Sequence, residues 1–219
     1  MSTDSSADQS VPDEVHETLM EATYRALCAE GFANLTMQHI ADEAGKSKSL
    51  LHYHYGTKHD LLVSFLRYLM ERFDQKIAAT EGDAPEERLR FLLDKMVPDG
   101  DDDEEYDKFG LALMDLRTQA PYDEAYREQV AQNERTIRAR MSAIIRDGIE
   151  QGVFREVDPE RTAALLFAAL DGARIQRVVL SGEDESEDGS SLPSREIPTA
   201  VRTAIDEFVL SNLRLEGGQ

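Results

Sequence analysis

The 219-residue chain has no tryptophan, one cysteine and no long hydrophobic run. The single cysteine, Cys28, excludes an internal disulfide and any metal site built on a Cys-x-x-Cys pair. Because no run of about eighteen apolar residues occurs, no segment is expected to span a membrane. The segment 1–12 is rich in Ser and Asp and has neither a basic start nor an apolar stretch, so it predicts a disordered tail rather than a signal peptide. Together these absences predict a cytoplasmic protein.

Positive charge is scarce, and lysine is the scarcer of the two basic residues. The chain has 24 Lys and Arg against 44 Asp and Glu, a formal net charge of -20, and only 6 of its basic residues are Lys. The acidic excess is spread along the whole chain, so most of the surface should repel DNA. This composition resembles that of proteins from salt-accumulating, halophilic organisms. The alternative is an ordinary acidic protein.

Apolar residues recur at helical spacing along the whole chain, and no segment shows the period-two alternation of a strand. The pattern predicts an all-α fold of about nine helices without an internal repeat. The predicted helices cover residues 13–30, 36–44, 47–53, 58–80, 86–97, 105–119, 121–151, 161–180 and 197–213. The chain length allows a small head and a larger body. We expect a three-helix head over 13–60 and a helical bundle over 61–215, after the tail 1–12.

The head contains the pattern of a helix-turn-helix. Thr36 and Ser47 are good N-caps for two short helices, and Gly45 supplies the tight turn between them. The segment 44–59 carries no Asp or Glu, yet it holds three of the six lysines, and four of the five histidines fall within 39–59. The stretch that should face phosphate is therefore clear of carboxylates in a very acidic chain, which predicts DNA binding.

The same segments resemble the N-terminal signature of the TetR family of one-component regulators. The resemblance is carried by TMQHIADEAG at 36–45, SKSLLHYHY at 47–55 and KHDLL at 58–62. A weaker likeness to the C-terminal part of many members is carried by residues 148–154, 158–159 and 170–172. The resemblance implies an N-terminal DNA-binding domain, followed by a helical-bundle domain for effector binding and dimerisation.

The resemblance also implies which residues meet DNA. The residues on the DNA side would be Thr36, Lys46, Ser47, Lys48, Ser49, Leu50, His52, Tyr53 and Lys58. Phosphate contacts would come from Thr36, His52, Tyr53 and Lys58, and base contacts from Lys46, Lys48, Ser49 and Leu50. The family usually has Val at Lys46, Gly at Ser49 and Tyr at His52, and the departures at Lys46 and Ser49 predict an unusual base preference.

The body is expected to hold an effector pocket and a dimer interface. The predicted pocket residues are Phe109, Leu113, Met114, Arg117, Tyr122, Tyr126, Phe167, Asp171 and Arg174. Each apolar one could equally belong to the bundle core. Arg117, Asp171 and Arg174 lie in otherwise apolar helices and must find polar partners, either one another or a ligand. The helices over 161–180 and 197–213 are the expected homodimer interface, and two-fold symmetry would match a palindromic operator.

These features predict a DNA-binding transcriptional regulator, most simply a repressor released from double-stranded DNA by a small, apolar effector. An activator, an effector-independent DNA-binding protein and a small-molecule-binding protein are the alternatives. The chain has no nucleophile elbow, glycine-rich phosphate loop or HExxH motif, so neither an enzyme nor a cofactor is predicted. His52 and His54 are two residues apart on a predicted helix and point to different faces, so no metal site is predicted.

Overall fold

The computed structural model describes residues 13–97, 104–180, 196–210 and 213, and these residues are predominantly helical. Nine α-helices are found there: α1 (Asp13–Asn34), α2 (Met37–Ala44), α3 (Lys48–Tyr55), α4 (Lys58–Ala78), α5 (Pro85–Met96), α6 (Glu104–Gln119), α7 (Glu124–Glu150), α8 (Pro159–Leu180) and α9 (Ile197–Ala204). A π-helical segment, Ile205–Leu210, continues α9. No β-strand occurs in the described ranges, which confirms the predicted all-α class. The predicted tail 1–12 lies outside them.

Two helix ends differ from their predicted positions for local reasons. Gly31 adopts φ 68° and ψ 163°, which interrupts the helical backbone, and a further helical turn then carries α1 to Asn34. The helix predicted from Pro121 begins instead at Glu124, because the Asp123 side chain accepts a hydrogen bond from the Tyr126 amide at 3.1 Å and caps α7.

The chain divides into two compact units, with the boundary between Tyr68 and Leu69, inside α4. The first unit therefore extends beyond residue 60, where the sequence placed the end of the head. The first turns of α4 supply side chains with no exposed surface to this unit. Its fully buried side chains include Leu19, Met20, Leu27, Ile40, Leu51, Leu61, Leu62 and Phe65.

The second unit has a core built from α5, α7 and α8, joined by residues near the C-terminus. The core includes Leu89, Leu92, Leu93, Met141, Ile144, Ile145, Phe154, Leu166, Leu170 and Ile205. Two buried arginines sit at its edges, each paired with an aspartate: Arg177 Nε lies 2.5 Å from Asp107 Oδ1, and Arg202 Nη2 lies 2.6 Å from Asp94 Oδ1. In the described part of the chain, every helix is too short or too polar to cross a membrane.

Candidate DNA-binding surface and effector cavity

The turn between α2 and α3 is fixed by its own backbone and caps. Thr36 Oγ1 accepts a hydrogen bond from the His39 amide at 3.1 Å, which starts α2. Gly45 is left-handed at φ 60° and ψ 33°, and its amide bonds the Asp42 carbonyl at 3.1 Å. The Lys46 amide bonds the Ala41 carbonyl at 3.0 Å, so α2 ends in a Schellman motif, the arrangement that glycine favours.

Helix α3 presents a polar, acid-free face to solvent. Ser47 Oγ accepts from the Leu50 amide at 3.2 Å and caps the helix, and Leu51 anchors it with a fully buried side chain. On the opposite side Lys46, Lys48 and Ser49 are exposed, and Tyr53 is 62% exposed. Neither lysine ammonium is bonded by any described residue, so both are available to an anionic partner.

Lys58, predicted to contact a phosphate, is engaged inside the head. Its Nζ donates hydrogen bonds to the carbonyls of Leu35 at 2.8 Å and Phe32 at 3.4 Å, and it lies 5.1 Å from the centre of the Phe32 ring. These carbonyls belong to the turn that precedes Thr36. The lysine therefore fixes the start of α2, a contact that sequence spacing alone does not reveal because the partners lie 23 and 26 residues away.

The C-terminal end of α3 is held to α1 by an aromatic contact. The Tyr55 hydroxyl lies 2.6 Å from His16 Nδ1, and the His16 ring also packs edge-on against Tyr68. Burial raises the pKa of Tyr55 to about 12, although a hydrogen bond with Ser64 lowers it. The phenol is therefore neutral near pH 7. Near the same end, His52 Nδ1 lies 2.6 Å from the Gly56 carbonyl, so this predicted phosphate contact is also oriented by its own backbone.

In the second unit, four charged side chains join α6, α7 and α8. Arg117 donates to both carboxylate oxygens of Asp171, at 2.6 and 3.0 Å, and to Glu134 Oε1 at 2.9 Å. Arg174 Nη2 donates to Asp171 Oδ1 at 2.8 Å. Burial raises the pKa of Asp171, but bonds and charges of the two arginines outweigh it and the net shift is downward. The polar partners required by the sequence are thus one another, with Glu134 in addition.

A cavity of about 200 Å³ lies between α6 and α8, and two of these charged groups form part of its wall. Its lining consists of Gly110, Met114, Arg117, Thr118, Arg174, Ile175 and Val178. Met114, Arg117 and Arg174 were among the predicted pocket residues. The others were missed, although the four-residue steps from Gly110 to Met114 and Thr118 mark one face of α6. Gly110 gives α8 room, because a Cβ there would lie 2.9 Å from Val178 Cγ2.

The remaining predicted pocket residues lie elsewhere. Asp171 holds the two arginines but is not in the lining, and Tyr126 is buried. Phe167 packs against the core of the second unit. Phe109 and Leu113 are half-buried outside the cavity wall. Tyr122 differs most from its prediction, because it follows Pro121 in the turn after α6 and is 89% exposed.

One face of α8 is exposed and carries no charge. Between Thr162 and Val179 the exposed residues are Leu165, Ala168, Gly172, Ile175, Gln176 and Val179. Their spacing of three and four residues forms a single stripe along the helix. Small residues occupy its middle, and a Cβ at Gly172 would meet nothing within 4 Å, so another helix could approach closely there.

Within the described ranges, no group of three or more His, Cys, Asp or Glu is arranged to hold a metal ion.

In this chain the second helix of the helix-turn-helix, α3, follows a glycine turn and is exposed and free of acidic residues. Together with a helical body that contains a cavity, it defines a DNA-binding transcriptional regulator. Comparison with known proteins gives the family. Residues 19–65 match the tetR family model of bacterial regulatory proteins, and residues 85–207 match the model of the BetI-type transcriptional repressor, C-terminal. The chain belongs to the TetR family, with a C-terminal part of the BetI type.

Individual relatives agree with this assignment. A TetR transcription regulator from Haloarcula marismortui is 39% identical, with a TM-score of 0.77, over 92% of this chain and 99% of that one. A putative regulator from Saccharomonospora viridis, solved in complex with choline, shares the fold at 24% identity and a TM-score of 0.69, over 90% of this chain and 98% of that one. The regulator BetI of Agrobacterium fabrum is 36% identical over 79 residues, which is 35% of this chain and 38% of the relative's length.

Proposed function

We propose that the protein is a ligand-responsive repressor that binds a palindromic operator as a homodimer. The observation that carries the proposal is the acid-free, solvent-exposed face of α3 in a chain of net charge -20. A surface that meets DNA must present positive or neutral groups to phosphate, and this face does so where the rest of the chain is predominantly acidic. The family assignment supports repression as the outcome of binding.

Individual contacts follow from the side chains that α3 exposes. Lys46, Lys48 and Ser49 are assigned to base edges in the major groove, with Leu50 beside them. The exposed hydroxyl of Tyr53 is assigned to a phosphate. Exposed positions supply the other backbone contacts at Thr36, Ser47 and His52. Lys58 is assigned a positioning role instead, because its ammonium already bonds the carbonyl just before Thr36.

The uncharged stripe on α8 supports a two-fold dimer. In a chain in which 31% of residues are charged, a continuous exposed face without charge favours an equally uncharged partner surface. A second copy presents such a surface, and its stripe is self-complementary in an isologous interface. Two heads related by a two-fold axis would meet the two halves of a palindrome.

The acidic composition leads to a proposal about salt. Ordinary repressors lose DNA affinity steeply as salt rises, because counterions are released from the phosphates. Here the carboxylates of the body repel DNA at low salt, and added KCl screens that repulsion. Operator affinity is therefore expected to stay flat or to rise with KCl, as suits a protein that works in a salt-loaded cytoplasm.

The test is operator binding by fluorescence anisotropy, with a labelled palindrome from upstream of the protein's own gene and a scrambled duplex of equal composition. The proposal predicts specific binding, two chains per palindrome, and an affinity that does not fall between low and molar KCl. Equal binding to both duplexes would contradict a regulator of defined operators. A steep loss of affinity with KCl would refute the salt proposal alone.

A further inference from the structure

We infer that the cavity between α6 and α8 binds a small amphipathic anion, such as a short-chain carboxylate, and not a quaternary ammonium cation. The inference rests on the proposed ligand-responsive repressor, takes this cavity as its effector site, and names the chemical class of the effector. It separates this chain from its fold neighbour from Saccharomonospora viridis, which was solved in complex with choline.

The charge on the cavity wall favours an anion. Among the described residues of the lining, the charged side chains are Arg117 and Arg174, both cationic. Their carboxylate partners, Asp171 and Glu134, balance the cluster but do not line the cavity. A group bound in the cavity is closer to the guanidiniums than to the carboxylates, which do not line it. Because Coulomb energy falls with distance, an anion is favoured there and a cation is repelled.

The Arg174 guanidinium has N–H donors that the described residues do not use. It carries five N–H groups, and among the described residues only Nη2 is used, in the 2.8 Å bond to Asp171 Oδ1. A ligand carboxylate could therefore bind Arg174 through its remaining N–H groups in the planar, bidentate geometry that guanidinium favours. Arg117 is already occupied by three bonds to Asp171 and Glu134, so Arg174 is the expected anchor.

The described lining of the cavity also differs from that of a site for a quaternary ammonium cation. Recognition of a quaternary ammonium group usually relies on aromatic rings that surround it. Among the described residues of the lining, none is Phe, Tyr or Trp. The apolar wall consists of Met114, Ile175 and Val178, which suit an alkyl chain. The cavity volume of about 200 Å³ favours a small ligand with a short alkyl chain.

The position of Ile175 couples the cavity to the proposed dimer interface. Its side chain lines the cavity and is also 37% exposed on the α8 stripe assigned to the dimer interface. A carboxylate bound to the remaining N–H groups of Arg174 would share this guanidinium with Asp171, one position before Ile175 on the helix. Ligand binding would then act on both the α6–α8 ion pairs and the dimer surface.

The test is isothermal titration calorimetry on the full chain at fixed KCl, with hexanoate, 1-hexanol and choline as probes. The variant Arg174→Gln removes the anchoring charge, Arg174→Lys retains a charge without the fork, and Arg161→Gln is the matched control. Arg161 lies on the same helix with its side chain 89% exposed, and it is outside the cavity lining. Circular dichroism of each variant establishes that it is folded.

The inference predicts that hexanoate binds at least about tenfold more tightly than hexanol or choline. Arg174→Gln should lower the affinity for hexanoate by about tenfold or more, and Arg174→Lys should lower it by less. Arg161→Gln should leave this affinity unchanged. Tighter binding of choline, binding of none of the probes, or equal hexanoate affinity in folded Arg174→Gln would each overturn the inference. Because the readout uses no DNA, these results are independent of operator binding. If choline released the operator, the proposed repressor would stand and only the effector class would be wrong.

Discussion

Replacing Gly148 with alanine should destabilise the second unit, because the helix there touches an aromatic ring. A Cβ at Gly148 would overlap Cδ2 of Phe154 and would lie 2.5 Å from its Cε2. Favourable carbon–carbon contacts lie at about 3.5–4.0 Å, so the overlap is at least about 1 Å at two ring carbons. The ring cannot simply withdraw, since Phe154 is 2% exposed and its amide bonds the Gly148 carbonyl at 2.9 Å.

Two opposing effects set the size of the loss. Overpacking a filled core costs about 1–3 kcal/mol, and this overlap belongs at the upper end. Alanine gains about 1 kcal/mol over glycine in a helix interior. The net loss for Gly148→Ala is therefore about 2 kcal/mol, which for a chain of this length lowers the melting temperature by about 4–8 °C.

The assay is thermal unfolding followed by circular dichroism, with Gly82→Ala as the control. A Cβ at Gly82 would meet nothing within 4 Å, so the control should not lower the melting temperature. In a Phe154→Leu background the smaller side chain relieves the overlap, and Gly148→Ala should cost less than it does in the native chain. A Gly148→Ala protein as stable as the native one would refute the close approach of α7 to the ring.

Three further predictions address the dimer, the head and the charged cluster. Leu165→Asp on the α8 stripe should raise the dissociation constant of the dimer by at least about tenfold in analytical ultracentrifugation, whereas Leu111→Asp, also exposed, should not. Equal effects of the two substitutions would show that the stripe is not the interface. Lys58→Met should lower the free energy of unfolding by about 1–2 kcal/mol in urea, and exposed Lys76→Met by less than about 0.5 kcal/mol. If Lys58→Met weakened DNA binding at unchanged stability, its ammonium would be a phosphate contact after all. The pKa of Asp171 is lowered in the folded state, so its stabilisation is complete above its unfolded value of about 3.9 and is lost as pH falls through the folded value. Asp171→Asn should therefore flatten the fall in stability under acid conditions, and an unchanged pH profile would contradict this.

Local signals in the sequence predicted the head well because its geometry is determined locally. Thr36, Gly45 and Ser47 each act on backbone atoms within five residues, so their roles as caps and turn can be inferred from residue type and spacing. The position of Lys58 could not be predicted this way. Its partners at Phe32 and Leu35 are brought to it only by the packing of α4 on the α1–α2 turn.

The effector cavity was harder to predict than the DNA-binding face. Polar residues in apolar helices pointed to Arg117, Asp171 and Arg174, since burial obliges charged groups to find partners. Aromatic side chains carried no comparable signal, because an exposed ring such as Tyr122 and a buried ring such as Tyr126 look alike in a sequence. Which of them lines a cavity depends on how neighbouring helices pack.

Exposed Lys48 is the side chain with which operator recognition by α3 can be tested in a single substitution. Fluorescence anisotropy with the operator and with a scrambled duplex should be compared for the native chain, Lys48→Ala and Lys76→Ala. Both variants remove one exposed lysine, but Lys76 lies in the second unit. We expect Lys48→Ala to weaken operator binding by about tenfold or more and to reduce discrimination against the scrambled duplex, while Lys76→Ala changes neither. Equal affinities and equal discrimination in all three proteins would contradict it.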